Sequence, residues 1–380
     1  MKYDVVIVGG GAAGLLCAIS IANNNKVVII DRADKLGKKI LATGNGRCNL
    51  TNNNLSAQYY NTDLVMPFFD IVDNNRILQL MDNMGLGTYS DSEGRVYPLS
   101  NSAVSVLDTL LAELHKHNNI DIVTNYEIAN ITKDNNEFVI MGDSTIVADK
   151  LVIATGGNTA NILDMLGVKY NGFVPSLCGL NTTKNKGLAG VRVDNVRVVM
   201  GSFDEIGEVL FKENGISGIV IFNLSAHLAR RNIRQCDVVI DLLPDFSADS
   251  INNRLSNYRH TNPSLPLLVA MGGLLHKALA RNIIDRVGVN IDAVMSQLTD
   301  TQIATIVTMI KAYSVHVIGL ADNNQVHCGG VSLSRLDNTL QYKDIAGLYF
   351  AGEVVDVDGV CGGYNLQWAW TSGKIVGDNL

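Results

Sequence analysis

Residues 3–31 read YDVVIVGGGAAGLLCAISIANNNKVVIID, and this stretch decides the fold. Tyr3 to Val8 is a short run rich in β-branched residues, the pattern of a strand buried in a parallel sheet. Gly9, Gly11 and Gly14 follow in G-x-G-x-x-G spacing, and Leu15 to Ala22 continues as an apolar helix. Lys26 to Ile30 supplies a second strand, which ends in Asp31. In such a unit the first glycine permits a tight turn, the second lets the backbone approach a pyrophosphate, and the third brings the helix close to the sheet. The free N–H groups at the helix start favour negative charge there. Asp31 stands about twenty residues past the turn, where an acid accepts from a ribose 2′-hydroxyl. Ala13 within the turn and Arg32 beside the acid belong to the same expected site. The reading is an α/β protein with a Rossmann-like dinucleotide-binding domain.

The chain has 380 residues, room for two or three domains at roughly 150 residues each. Thirty Lys+Arg against 37 Asp+Glu give a net charge of −7, which weighs against nucleic acid as a partner. The six cysteines form no C-x-x-C pair and no zinc-like spacing, so no metal site is expected and the thiols read as reduced, in the cytoplasm. Val5 to Ala22 is an 18-residue apolar run, long enough to suggest a membrane anchor. Its glycine-rich centre makes a poor continuous helix, at about 1 kcal/mol per glycine. A strand, a turn and a helix are expected there, with no membrane as partner.

Two distant segments separate FAD from NAD. Lys150 to Gly157 is a strand running into a glycine turn that contains Thr155 and Gly156. Gly347 to Glu353 is another strand, closing on Gly352 and Glu353, and a carboxylate there suits the hydroxyls of a ribityl chain, which FAD has and NAD lacks. The FAD domain therefore takes in the far C-terminus as well. No second G-x-G-x-x-G follows a strand, so NADH or NADPH is expected only as a transient donor, without a domain of its own.

Four further segments carry a resemblance. They are Leu36–Asn52 (LGKKILATGNGRCNLTN), Glu93–Pro98 (EGRVYP), Gly207–Phe211 (GEVLF) with Gly215–Gly218 (GISG), and Gly352–Gln367 (GEVVDVDGVCGGYNLQ). Together they resemble the YhiN/BaiN-like bacterial flavoproteins, in order and across nearly the whole chain. That family includes members assigned as aminoacetone oxidases and as reductases of unsaturated oxo-bile acids. The resemblance implies FAD, redox chemistry and a glutathione-reductase-type fold with a discontinuous FAD domain. On that reading residues 1–180 and 328–380 form the FAD domain, 181–246 and 312–327 an inserted β-barrel-like domain, and 247–311 a helical subdomain.

Within that frame, Gly363 opens an apparent helix from Tyr364. Its N-terminus, with Asn365, Leu366 and the amide of Gln367, is expected to face the flavin N1–C2=O edge, where negative charge builds on reduction. The loop from Thr43 to Asn49 brings Gly46, Arg47 and Cys48 to the pyrophosphate or the ring face; Arg47 suits a phosphate or a surface salt bridge. Lys38 is a weaker candidate, as is Ile128, whose backbone would meet the adenine by analogy with related flavoproteins.

The chain departs from the family pattern in three places. The loop from Gly156 to Val174 is short, Lys212-Glu213 replaces the usual Thr-His, and His327, Cys328 and Cys361 stand where Thr, Gly or Ala is usual. His327, Tyr364 and Cys361 are the catalytic candidates, and Cys48, Cys328 and Cys361 are candidates to touch substrate or to pair. Arg230, Arg231 and Arg234 suit an NADP phosphate or a helix end, with the helix end favoured.

The expected function is NAD(P)H-driven reduction of a small enone-like molecule by hydride transfer through flavin N5. An oxygen-using amine oxidase, a flavin redox sensor and an RNA-modifying flavoprotein are the alternatives. The sequence leaves the oligomeric state open.

Overall fold

The computed structural model describes residues 1–21, 24–157 and 159–380. Ala22, expected at the end of the first helix, and Asn158 in the glycine turn lie outside them. The chain forms two compact units, Met1–Val174 with Gln325–Leu380, and Pro175–Asn324.

In the first unit, β1 (Lys2–Val8), α1 (Ala12–Ser20) and β2 (Val27–Ile30) follow one another as the periodicity predicts. The helix starts three residues before Leu15, because Gly11 takes an extended N-cap conformation and Ala12 and Ala13 are already helical. The apolar run is thus split between a strand and a nine-residue helix, and no helix among the described residues is long and apolar enough to cross a membrane.

A seven-stranded sheet runs in the order Ile120–Val123, β2, β1, Thr145–Ile153, Glu137–Met141, Asn130–Asp134. The pairings from Ile120–Val123 to Thr145–Ile153 are parallel, and the last two strands form an antiparallel meander. The long strand Thr145–Ile153 serves two neighbours. Its first half pairs with Glu137–Met141, and its last three residues pair parallel with Leu348–Phe350, nearly 200 positions later. The C-terminal residues therefore complete the sheet that the N-terminus begins.

The C-terminal helix, Tyr364–Asp378, packs on α1. Gly373 and Gly377 make the contact: a Cβ on Gly373 would overlap the Ala13 carbonyl oxygen, and one on Gly377 would lie 2.5 Å from that of Cys17. Trp368 and Trp370 on this helix are fully buried, with their indole N–H groups donating to Gly352 O and Leu50 O, both at 3.0 Å.

The second unit contains a closed six-stranded barrel, in the order Leu180–Thr182, Gly215–Ser217, Phe203–Lys212, Arg192–Met200, Cys236–Asp241, Tyr313–Leu320. The helices Ala248–Thr261, Leu267–Gly272, Lys277–Val287 and Asp300–Lys311 occupy the stretch read as helical. Thr299 and Gln302 form a capping box. Ile303, Ile306, Val307 and Ile310 join barrel residues such as Val238 and Val317 in one core, so helices and barrel share a single hydrophobic interior. The divisions fall at 174/175 and 324/325, against 180/181 and 327/328 in the sequence reading, which moves His327 into the first unit.

Candidate functional site

The β1–α1 turn owes its shape to two glycines. Gly9 has φ +104°, and a Cβ there would lie 2.5 Å from Ala154 O. A Cβ on Gly14 would overlap the Gly9 carbonyl oxygen. Gly11 differs: nothing lies within 4 Å of where its Cβ would sit, so the fold itself does not require glycine there. Open space over a backbone at a helix start is what a pyrophosphate needs.

Asp31 closes β2 with both oxygens fixed by main-chain donors, Oδ2 by Gly10 N–H and Oδ1 by Ala33 N–H, each at 2.8 Å. Each oxygen keeps a second lone pair for a hydroxyl. The carboxylate lines a pocket with Gly9, Arg32, Ile128, Thr155 and Thr159. The Oγ1 atoms of Thr155 and Thr159 are buried there without a hydrogen-bond partner among the described residues. Buried hydroxyls of that kind fit a ligand that supplies the missing partners. An open backbone at Gly11, a presented acid and two unmatched hydroxyls match the adenosine and pyrophosphate portion of FAD. Arg32 is exposed and Ile128 half-buried at this rim.

Glu353 and Gly352 follow the strand Leu348–Phe350. A Cβ on Gly352 would lie 2.9 Å from that of Ala13, in the first turn of α1. The Glu353 carboxylate is 19% exposed and has three partners. Oε2 accepts from Lys39 Nζ at 3.0 Å, Oε1 accepts from His327 N–H at 2.8 Å, and Oε1 also faces His327 Nδ1 at 3.5 Å. Burial would raise its pKa, but the His327 and Lys39 contacts outweigh that and hold it down to about 2. Gly156 and Gly157 pass directly over the group: a Cβ on Gly157 would lie 2.6 Å from His327 Nδ1 and 2.7 Å from Glu353 Oε1.

The start of the C-terminal helix is pinned by the loop that follows residue 48. Gly363 has φ +98° and Gly362 φ +138°. The Asn49 side chain bridges Gly363 N–H to the carbonyls of Thr51 and Val96, and Asn52 Nδ2 donates to Gly362 O at 3.1 Å. Thr51 Oγ1 donates to Gln367 Oε1 at 2.5 Å. The sequence reading placed Asn49 and Asn52 within a motif without giving them this role, and only their partners near residue 363 reveal it.

Several expected ligands are committed elsewhere. Asn365 donates to Gly359 O at 2.8 Å and accepts from Gly359 N–H at 3.0 Å, so its amide fastens a loop. Gln367 is fully buried and donates to Thr371 Oγ1 at 2.9 Å. Lys38 pairs with Asp34 on the surface; its neighbour Lys39 is the lysine that turns to Glu353. Arg47 is exposed, and its guanidinium stacks 4.6 Å over the Tyr97 ring. Gly46 is exposed in the same turn with φ +81°, and Leu366 is half-buried against the core.

The catalytic candidates separate in the same way. Tyr364 is 4% exposed, stacked on Tyr59 at 4.6 Å with Tyr60 edge-on at 5.7 Å. Burial and the Tyr59 hydroxyl push its pKa upward. The six cysteines are thiols and no disulfide joins them, so the pairing alternative for Cys48, Cys328 and Cys361 is not formed. Cys48 is fully buried, and burial pushes its thiol up to about 11. Cys328 is buried with Sγ on Val174 O at 3.5 Å, while Cys361 is half-buried just ahead of the helix. In the second unit, Arg230 and Arg231 stand at the end of the helix Ile219–Arg230, as favoured. Among the described residues no group of three or more His, Cys, Asp or Glu is gathered for a metal.

Comparison with known proteins agrees with this geometry. The family described as HI0933-like protein Rossmann domain matches residues 3–379. A 3-dehydro-bile acid delta(4,6)-reductase from Clostridium scindens is 31% identical, over 98% of this chain and 97% of that protein. A ribosomal RNA dihydrouridine synthase from Escherichia coli is 29% identical, over 100% and 98%. Among solved structures, a 3-ketosteroid delta1-dehydrogenase from Sterolibacterium denitrificans superposes with a TM-score of 0.52 at 11% identity, covering 100% of this chain and 99% of that one. A 3-ketosteroid-delta4-(5alpha)-dehydrogenase from Rhodococcus jostii gives 0.51 at 12%, covering 99% and 96%. The fold is the Rossmann-like FAD-binding fold of flavoprotein oxidoreductases. Within that class, this chain belongs to the HI0933-like family.

Proposed function

We propose that this protein is an FAD-dependent reductase that takes electrons from NADH or NADPH and saturates a carbon–carbon double bond conjugated with a carbonyl in a small organic molecule. The observation that carries the reading is the pocket where Asp31 meets the unmatched hydroxyls of Thr155 and Thr159, beside a glycine the fold does not itself need. When bound, FAD supplies two-electron hydride chemistry at N5. The chain's part is to hold and polarise it. Asp31 accepts from the ribose, the Gly9–Gly14 turn and α1 carry the pyrophosphate, and Thr155 and Thr159 complete the adenosine side. Gly362 and Gly363 start the C-terminal helix, whose N-terminal dipole favours negative charge at the flavin N1–C2=O edge.

The names of the relatives support one reaction type. The Clostridium scindens protein is named for reducing a 3-dehydro-bile acid, whose double bonds are conjugated with a 3-oxo group. Dihydrouridine differs from uridine by saturation of C5=C6, which is conjugated with the C4 carbonyl. That likeness favours a second reading, in which the same chemistry acts on a uracil ring in RNA. The net charge of −7 favours the small molecule. We place the protein in the cytoplasm, where its six thiols stay reduced.

The test is an anaerobic titration of the flavin-loaded protein with NADH and NADPH, followed by addition of 2-cyclohexenone. Bleaching of the flavin by either nucleotide and its return with the enone are the expected result. A flavin bleached by an aminoketone and by neither nucleotide would replace this reading with an amine oxidase. Uridine in RNA reoxidising the flavin where the enone does not would select the second reading.

A further inference from the structure

The Lys39–Glu353–His327 cluster lies where the turns after Ile153 and Phe350 meet, at the C-terminal ends of parallel strands. Ligands of open α/β sheets bind at those ends. The sequence reading gave Glu353 to the ribityl chain and His327 to catalysis. The contacts join the two residues. Oε1 holds the His327 backbone N–H and stands 3.5 Å from ring Nδ1, close enough that a small rotation of the imidazole makes a hydrogen bond. Oε2 is anchored by Lys39. The absence of side chains at Gly156 and Gly157 gives the carboxylate and imidazole the space they occupy. The strand Asn171–Ser176 sets Phe173 edge-on to the ring at 6.5 Å. The charged groups gathered here are thus Glu353 against the ring and Lys39 behind it, with the Cys328 thiol on the histidine's own strand turned to Val174 O.

We propose that His327 is the acid that completes the reduction, with Glu353 as the positioning residue that keeps its proton on Nδ1 and Lys39 as the counter-ion that anchors Glu353. This rests on the reductase reading above. Bound FAD, once reduced, would supply the hydride to the β-carbon of the conjugated alkene, and the π pair would move toward the carbonyl as an enolate. His327, protonated on both nitrogens, gives its Nε2 proton to that enolate and keeps the N–H bonding pair on Nε2. The substrate gains one hydride and one proton, and the ring is left as the neutral Nδ1–H form until water reprotonates it. The fixed carboxylate does for this imidazole what a buried acid does for any general acid–base histidine, setting tautomer and direction.

Two measurements test it. The first is the ¹⁵N spectrum of the full-length protein with the imidazole neutral. The expected His327 signal is the Nδ1–H tautomer, lost in Glu353→Leu and kept in Glu353→Gln, whose amide oxygen still accepts. The second is rapid mixing of NADPH-reduced protein with 2-cyclohexenone. His327→Gln is expected to reoxidise roughly 100-fold more slowly, with flavin content and bleaching by NADPH within about threefold of the parent. An Nε2–H tautomer in the parent protein, or normal reoxidation of His327→Gln, overturns the proposal. If the parent protein itself is not reoxidised by the enone, the functional reading fails and the acid role falls with it. That outcome is distinct from a defect confined to the variant.

Discussion

Two glycine-rich turns each open onto a helix in this protein, and they are built in opposite ways. The Gly9–Gly14 turn is closed largely from within: Gly14 packs on the Gly9 carbonyl, and Asp31, only 21 residues on, is tied back to Gly10 N–H. The Gly352–Gly363 segment depends on partners some 300 residues away. Lys39 reaches Glu353, Asn49 and Asn52 hold Gly362 and Gly363, and Asn61 Oδ1 accepts from Asp358 N–H at 3.0 Å. A turn closed by neighbours in the chain forms with little loop-closure entropy, whereas one closed by distant segments forms only with the whole domain.

The largest expected effect is in the local turn. Gly14→Ala places a methyl on the Gly9 carbonyl and should cost about 4 kcal/mol or more, leaving no folded yellow protein on purification. Recovery of folded, flavin-loaded Gly14→Ala would break the comparison. Gly363→Ala comes next, at about 3 kcal/mol, because its φ of +98° strains an alanine and the new Cβ meets Thr51 O; denaturant unfolding measures it.

Glu353 adds a pH term. Its folded pKa lies below the ordinary 4.5, so its contribution is present above pH 4.5 and drains away as pH falls from there toward 2. A fall from 4.5 to about 2 corresponds to about 3 kcal/mol. Stability measured against pH should lose that acid limb in Glu353→Gln, and an unchanged limb would show that Lys39 and His327 do not hold the charge.

Smaller effects sharpen the contrast. Asn52→Ala removes the bond to Gly362 O and should cost about 1–2 kcal/mol, with Tm as the readout. Gly11→Ala should change apo-protein stability by less than about 1 kcal/mol, since the space around it is open. It should nevertheless weaken FAD binding roughly tenfold or more, equal to about 1.4 kcal/mol. Equal loss of stability and affinity would mean that Gly11 serves the fold and not the ligand.

The barrel–helix alternation of the insert came with the family resemblance, whereas the strand–turn–helix of residues 2–20 was legible in the sequence, because it is a local pattern of spacing and residue size. Asp31 was legible for the same reason. The choice of Lys39 over Lys38 was not, since adjacent helical residues point in directions that only the packed partner, Glu353, distinguishes. Nor was the commitment of Asn365 and Gln367 to Gly359 and Thr371, which compete with a flavin for the same amide groups. What the sequence alone determined is the dinucleotide unit and its glycines, whose physics is backbone conformation over a few residues. What only the tertiary structure decided is which polar side chains meet at the ends of the strands. Those pairings join positions up to 314 apart, and burial satisfies each group with whichever partner the closed sheet brings near.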